Sequence, residues 1–204
     1  YATSLSGRSP RIIDAGANIG MATIFFKRTL PDAKIIAFEA DPNVAEVLAS
    51  NVASFNLENV EIKRSAVSDK RGTMTFMPDG SDGGRLSEAG LGGVQVETVR
   101  LRDWLQEPVS LLKLDVEGAE TDIILDCRDL LHNVEQLFVE YHSFAHRKQM
   151  LPEILEILRA SGFRILVQTD YCGPSPLLEQ PTHSGMDLRL NIFGVRPSQG
   201  AYAI

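Results

Sequence analysis

Several short stretches of this sequence hold residues able to do chemistry together. The first is RIIDAGANIG, residues 11–20: an apolar run that ends in Asp14 and enters a glycine turn. Turns of the form G-x-G-x-x-G bring backbone amides up to phosphate. Here the first glycine position is Asp14, and Gly16 and Gly20 stand four apart instead of three. A pyrophosphate would meet Asp14 with like charge in a partly dry cleft, where repulsion is poorly screened. The turn therefore points to a ligand without phosphate and with a cationic amino group.

S-adenosylmethionine is such a ligand: a sulfonium, an ammonium and a carboxylate joined to adenosine. Gly16 would let the backbone pass close to it, with Ala17 completing the turn, and Gly20 would let the next helix pack on the strand. Amides near Asn18, at the helix start, would meet the carboxylate. The plainer account is a tight strand–helix turn with a solvated Asp. A second motif in register weakens that account. AFEADP ends the next apolar run, and its Glu39 lies 19 residues after Gly20. A ribose-binding acid is expected at about that distance, with Ala40 beside it and Asp41-Pro42 shaping the adenine side. Ala66, Val67 and Ser68 follow a third strand, where backbone and hydroxyl groups would read an adenine edge, although Ser-Asp-Lys-Arg-Gly is also an ordinary turn.

The acceptor side is read from LLKLDVEGAE and VEYHSFAH. Lys113 and Asp115 share one face of a strand by its two-residue period. A lysine in an apolar, buried strand is costly unless paired, so Lys113 is expected to contact an acid or a ligand. Glu117 and Glu120 begin the next helix, where the dipole favours acids, and that position accounts for Glu120 by itself. Glu140 and His142 share a face at the end of the following strand. Adjacent strand ends would thus gather Lys113, Asp115, Glu140 and His142. A histidine with a pKa near neutral is a natural general base for a hydroxyl, although a lone strand-end histidine is more often structural than catalytic. His132, His146 and His183 rank below it.

The elements that must position these groups alternate. RIIDA, AKIIAFEA, VEIKRSAV, VSLLKLDV and VEQLFVEYH read as strands. Helical spacing runs through residues 18–30, through NVAEVLASNVASFNL, through GAETDIILDCRDLL and through MLPEILEILRASGF. RILVQT and LNIFGVRP close the chain. TMTFMP and VQVETVRL alternate with period 2, as a hairpin or meander does. Repeated strand–helix units predict a parallel, doubly wound sheet with helices on both faces and ligands beyond the carboxyl ends of its strands. Residues 79–93, with six glycines, and residues 170–187 are expected as loops that set acceptor choice, the second as a lid at the active-site rim.

Composition narrows the partners. The 204 residues are expected to form one domain over 1–204. The net charge of −7 without a basic block disfavours nucleic acid and anionic membrane. No apolar run approaches the roughly 20 residues of a membrane span. The opening YATSLSGRSP lacks the pattern of a signal peptide; it also starts without Met, as a trimmed piece would. Cys127 and Cys172 form no C-x-x-C pair, which suits a reducing cytoplasm.

Taken in order, IIDAGANIG, FEADP, SAVSDKRGTMTF, VETVRLRDWL, LLKLDVEGAE and FVEYH resemble the FkbM-type family of S-adenosylmethionine-dependent O-methyltransferases. The resemblance covers roughly residues 12–163 and is most specific at K-x-D-V-E-G-A-E. It implies a Rossmann-like class I methyltransferase sheet of seven strands with the last inserted antiparallel, here with an added β-hairpin. It also implies a hydroxyl acceptor on a sugar, lipid or secondary metabolite. Asp14, Gly16, Asn18, Gly20 and Glu39 would be cofactor contacts, and Asp115, Glu117 and His142 would face the acceptor.

The rivals are an NAD-dependent oxidoreductase, disfavoured by Asp14 and the glycine spacing, and a cofactor-binding module without turnover. A nucleic-acid methyltransferase is opposed by the acidic charge and by the absence of an Asn/Asp-Pro-Pro-aromatic motif. Asp115, Glu140 and His142 are also a donor set for Mg²⁺ or Mn²⁺, but the sequence commits to no metal. It leaves the oligomeric state open, with the period-2 strand VQVETV able to pair across a dimer.

Overall fold

A computed structural model describes residue 5 and residues 9–77, 85–87, 93–179 and 182–196. The chain begins with β1 (Arg11–Ala15), α1 (Met21–Thr29), β2 (Lys34–Phe38), α2 (Pro42–Ser54) and β3 (Val60–Lys63). β4 (Ala66–Ser68), β5 (Gly72–Met77), β6 (Arg85–Ser87) and β7 (Val94–Arg100) come next. The second half holds β8 (Val109–Leu114), α3 (Glu120–Cys127), β9 (Val134–Phe144), α4 (Leu151–Ala160), β10 (Arg164–Cys172) and β11 (Met186–Val195).

Seven strands form one sheet in the order β10-β11-β9-β8-β1-β2-β3. β1, β2, β3, β8 and β9 pair in parallel, and β11 lies between β9 and β10, antiparallel to both. This is the expected class I methyltransferase sheet. Side chains alternate across it. Ile12, Ile35 and Leu111 pack against Ala22 and Phe26 of α1, while Ala37 packs against Leu48 of α2. Ile13, Phe38, Leu112 and Leu114 pack with Ile123 and Ile124 of α3 and Ile154 and Leu158 of α4. Each such enclosed branched or aromatic side chain is worth roughly 1.5–3 kcal/mol, so the parallel centre is the best-anchored part of the sheet.

Four expectations are corrected. VEIKRSAV is not one strand: it breaks after Lys63, and Ala66–Ser68 leave the main sheet to pair with β7. The added hairpin, β5 against β7, is part of a four-stranded sheet of order β4-β7-β5-β6, in which Arg85–Ser87 of the glycine-rich segment pair with β5. The rest of residues 79–93, apart from Gly93, lies outside the described residues. The third concerns the helix read over residues 118–131. It starts only at Glu120, because Glu117 and Gly118 take positive φ of 55° and 103°, and it ends at Cys127. β10 and β11 also run further than read, to Cys172 and from Met186, which shortens the segment between them.

Candidate active site

The turn after β1 is left-handed at Gly16 (φ 79°), Asn18 (φ 50°) and Gly20 (φ 91°). A side chain at Gly16 would put its Cβ 1.7 Å from the carbonyl oxygen of Asp115, so glycine here lets the ends of β1 and β8 touch. At Gly20 the close neighbour is Leu48 of α2, at 2.6 Å, not a strand. The glycines therefore answer to the protein's own packing. The amide of Asn18 is also engaged, donating to Glu39 Oε2 at 2.8 Å.

Asp14 has no exposed surface. Its Oδ2 accepts from Thr23 Oγ1 at 2.7 Å, and its Oδ1 lies 3.4 Å from the ammonium of Lys113. Lys113 is buried as well; it donates to Gly16 O at 2.8 Å and to Asp115 Oδ2 at 3.1 Å. The carboxylate in the glycine turn thus anchors a cation that ties the turn to the end of β8. A ligand would sense Asp14 through Lys113 and Gly16, while Asp115, partly exposed, meets it directly.

Glu39 directly follows β2, and its Oε1 accepts from the Asp41 amide at 2.8 Å. Burial raises its pKa above the usual carboxylate value, against the pull of the Asp41 and Asn18 amides. Asp41 caps α2 through the amides of Asn43 and Val44, a common duty for Asp at a helix start. Ala40 packs with Ala66 and Val96. Val67 and Ser68 are buried in β4, and Ser68 Oγ accepts from the Lys70 amide and bonds Asp69. The structure therefore brings Glu39, Ala40 and Ala66 together, with the β4 hydroxyl turned to its own turn.

The ends of β8 and β9 hold the acidic cluster. The ring of His142 is enclosed between Glu120 and the rim. Its Nδ1 lies 3.0 Å from Glu120 Oε1; its Nε2 lies 3.4 Å from Glu117 and 3.7 Å from Glu140. Burial opposes charge on the ring, but the bond to Glu120 and the carboxylates of Glu120, Glu117 and Asp115 outweigh it and lift its pKa to about 9. With those neighbours alone the ring holds its proton at neutral pH, unlike the near-neutral base expected from sequence. Burial also pushes Glu117 up to about 7, opposed by His142 and reinforced by Asp115, Glu120 and Glu140. Side chains of Asp115, Glu117 and Glu140 remain 20–24% exposed, whereas that of His142 has no exposure. An acceptor would meet the carboxylates first.

Two members were not foreseen in these roles. Glu120, read as a helix-start acid, accepts from the amides of Val116 and Gly118 and holds His142. Its signal is the helix-start acid reaching back to the amides that precede it, as in a capping box. Arg189 of β11 lies 3.2 Å from Glu140 and donates to Asp170 at 2.6 Å. No local pattern announces it, because it arrives by antiparallel insertion opposite His142. His132 and His146 bond or pack elsewhere, on Asp129 O and on Phe144, and His183 bridges Met186.

A family profile described as "Methyltransferase FkbM domain" matches residues 14–165. The chain belongs to the FkbM methyltransferase family. It is 30% identical over 184 residues to the 2-O-methyltransferase NoeI of Sinorhizobium fredii, covering 78% of this chain and 74% of NoeI. It is 28% identical over 197 residues to the 31-O-demethyl-FK506 methyltransferase FkbM of Streptomyces tacrolimicus, with the same two coverages. Among solved structures, the methyltransferase FkbM of Methylobacillus flagellatus superposes with a TM-score of 0.58 at 14% identity, over 91% of this chain and 44% of that one. This FkbM-family domain is a methyltransferase that uses S-adenosylmethionine.

Its residues fit that cofactor. Asp14 and Asp115 share the single cation of Lys113, so the turn keeps a net negative charge that Asp115 presents to solvent, which suits an ammonium and sulfonium better than a pyrophosphate. Glu39 has the carboxylate chemistry for two ribose hydroxyls. Among the described residues no helix is long and apolar enough to cross a membrane.

Proposed function

We propose that this FkbM-family domain, acting as one unit over residues 1–204, methylates a hydroxyl oxygen of a small molecule, either a sugar or a secondary metabolite. The observation that carries the reading is the cluster of Asp115, Glu117, Glu140 and His142 at adjacent strand ends, beside the glycine turn and within reach of solvent. The two named relatives act at oxygen, NoeI as a 2-O-methyltransferase and FkbM on 31-O-demethyl-FK506. The acidic charge of −7 argues against a nucleic-acid acceptor, and the two unpaired cysteines fit a reducing, cytoplasmic setting.

Asp14, Gly16, Ala17, Asn18 and Gly20 would hold the methionine part of the cofactor, Glu39 would take the ribose, and Ala40, Ala66, Val67 and Ser68 would flank the adenine. When bound, S-adenosylmethionine supplies a methyl carbon already activated by its sulfonium. The protein's share is alignment and proton removal. Asp115 and Glu117, the open carboxylates, orient the acceptor hydroxyl and take its proton. Glu140, nearly as open, flanks them, His142 supports Glu117 and Glu140 from behind, and Lys113 fixes Asp115.

The test is calorimetric titration with S-adenosylhomocysteine and with NAD, followed by methyl transfer to a panel of sugars and hydroxylated metabolites. S-adenosylhomocysteine alone should bind, more weakly in Glu39→Ala and Asp14→Ala. Glu117→Gln and His142→Ala should keep that affinity and lose most turnover. Binding of NAD alone would make this an oxidoreductase-like site. Binding without turnover on any acceptor would favour a cofactor-binding module.

A further inference from the structure

The acidic cluster contains a feature that methyl transfer by carboxylates alone leaves without a purpose. His142 is 5% exposed, and its Nε2 is buried without a hydrogen-bond partner. That nitrogen faces Glu140 Oε1 at 3.7 Å and Glu117 Oε2 at 3.4 Å. The other ring nitrogen, Nδ1, sits 3.0 Å from Glu120 Oε1. Glu120 is itself buried and accepts from the amides of Val116 and Gly118. An anion so held keeps the proton on Nδ1 and turns Nε2 into the cluster, where a bound cation would take the place of any proton on that nitrogen. A carboxylate that orients one imidazole nitrogen while the other binds a metal is the usual outer support of a histidine ligand.

The geometry points to a divalent-cation site, for Mg²⁺ or Mn²⁺, formed by the carboxylates of Asp115 and Glu140 and by Nε2 of His142. One ligand atom from each lies within 4.8 Å of the other two. Octahedral ligands about 2.1 Å from a metal are about 3.0 Å apart when adjacent and about 4.2 Å when opposite, so the three need only small rotations to share one ion. Two oxygens and an imidazole nitrogen, with no thiol, match Mg²⁺ or Mn²⁺. The surrounding charge agrees. Lys113 lies on Asp115 and Arg189 on Glu140 and Asp170, yet Asp14, Glu117, Glu120 and Asp170 add to the acidic side. Asp115 and Glu140 are partly exposed, so the ion has open positions on the solvent side. There it would hold the acceptor's hydroxyl oxygen and make its proton easier to remove.

This inference rests on the methyl-transfer reading of the same site, and the experiment separates the two. Mn²⁺ is titrated into the full chain by electron paramagnetic resonance, with and without S-adenosylhomocysteine. S-adenosylhomocysteine is titrated separately by calorimetry in metal-free buffer. The parent chain should bind one Mn²⁺ with a dissociation constant below about 1 mM. Glu140→Gln and His142→Gln should each weaken it by about tenfold or more, and Glu120→Gln by about 10–100-fold through the ring's orientation. None of the three should change S-adenosylhomocysteine affinity. Should His142→Gln fail to fold in a thermal melt, Glu140→Gln decides. No Mn²⁺ binding by the parent, or equal binding by Glu140→Gln, overturns the metal site even where S-adenosylhomocysteine binds. Mn²⁺ bound without any S-adenosylhomocysteine binding instead sinks the methyl-transfer reading and leaves the metal site standing.

Discussion

Replacing Lys113 by Met tests why a glycine turn carries a carboxylate. Met keeps most of the length and volume of the lysine stem, so packing changes little. What is lost is the ammonium, 3.4 Å from Asp14 Oδ1 and 3.1 Å from Asp115 Oδ2, together with its bond to Gly16 O. Asp115 is partly exposed and water can screen it. Asp14 has no exposure, and its carboxylate would keep the bond from Thr23 Oγ1 but no cation beside it among the described residues. Removing one member of a buried pair costs about 3–5 kcal/mol, because the other charge is left uncompensated. For a chain of this size each kcal/mol lowers Tm by about 2–4 °C, so a fall of roughly 6–20 °C is expected.

The assay is urea denaturation of the parent, Lys113→Met, Asp14→Asn and the double variant. Asp14→Asn alone should cost less, about 1–3 kcal/mol, since Lys113 keeps Asp115 and Gly16 O. The double variant should be more stable than the sum of the singles predicts, by about 1–3 kcal/mol. A Lys113→Met chain within about 1 kcal/mol of the parent, or additive losses, would refute the reasoning.

Gly16→Ala should destabilise more than Gly20→Ala, because its Cβ meets the Asp115 backbone at 1.7 Å whereas at Gly20 it meets the movable tip of Leu48. The left-handed backbone costs either alanine about 1–2 kcal/mol, so that share is common and the difference, read by denaturation, reports the clash. Cys127 is buried, and burial with the charge of Asp126 pushes its thiol up to about 12, while Cys172 is exposed. A thiol reagent at mildly alkaline pH should modify one cysteine of the native chain quickly and the second only after unfolding; equal rates would contradict the described burial.

Much of the site was legible because its parts are local. The two-residue period of a strand puts Lys113 with Asp115 and Glu140 with His142, whatever surrounds them. The glycine turn and Glu39 follow from spacing along one strand–helix–strand unit, and the apolar runs dictate parallel strands buried on both faces. The buried lysine was expected to find an acid, and it finds two. VEIKRSAV could not be divided from its pattern, since branched residues run through it and the break reflects which sheet each half can join.

The sequence by itself determined the kinds of groups at the rim, the order of strands and helices that carries them there, and a ligand chemistry without phosphate. Tertiary structure alone decided what those groups are to one another. Arg189 reaches Glu140 because β11 inserts between β9 and β10, a choice no neighbouring residue encodes. Glu120 became the anchor of His142 because the turn at Glu117 and Gly118 folds the helix start back onto β9. The charge states followed last. A pKa depends on burial and on charges a few ångströms away, and for His142 and Glu117 those charges come from chain segments that only the folded sheet brings together.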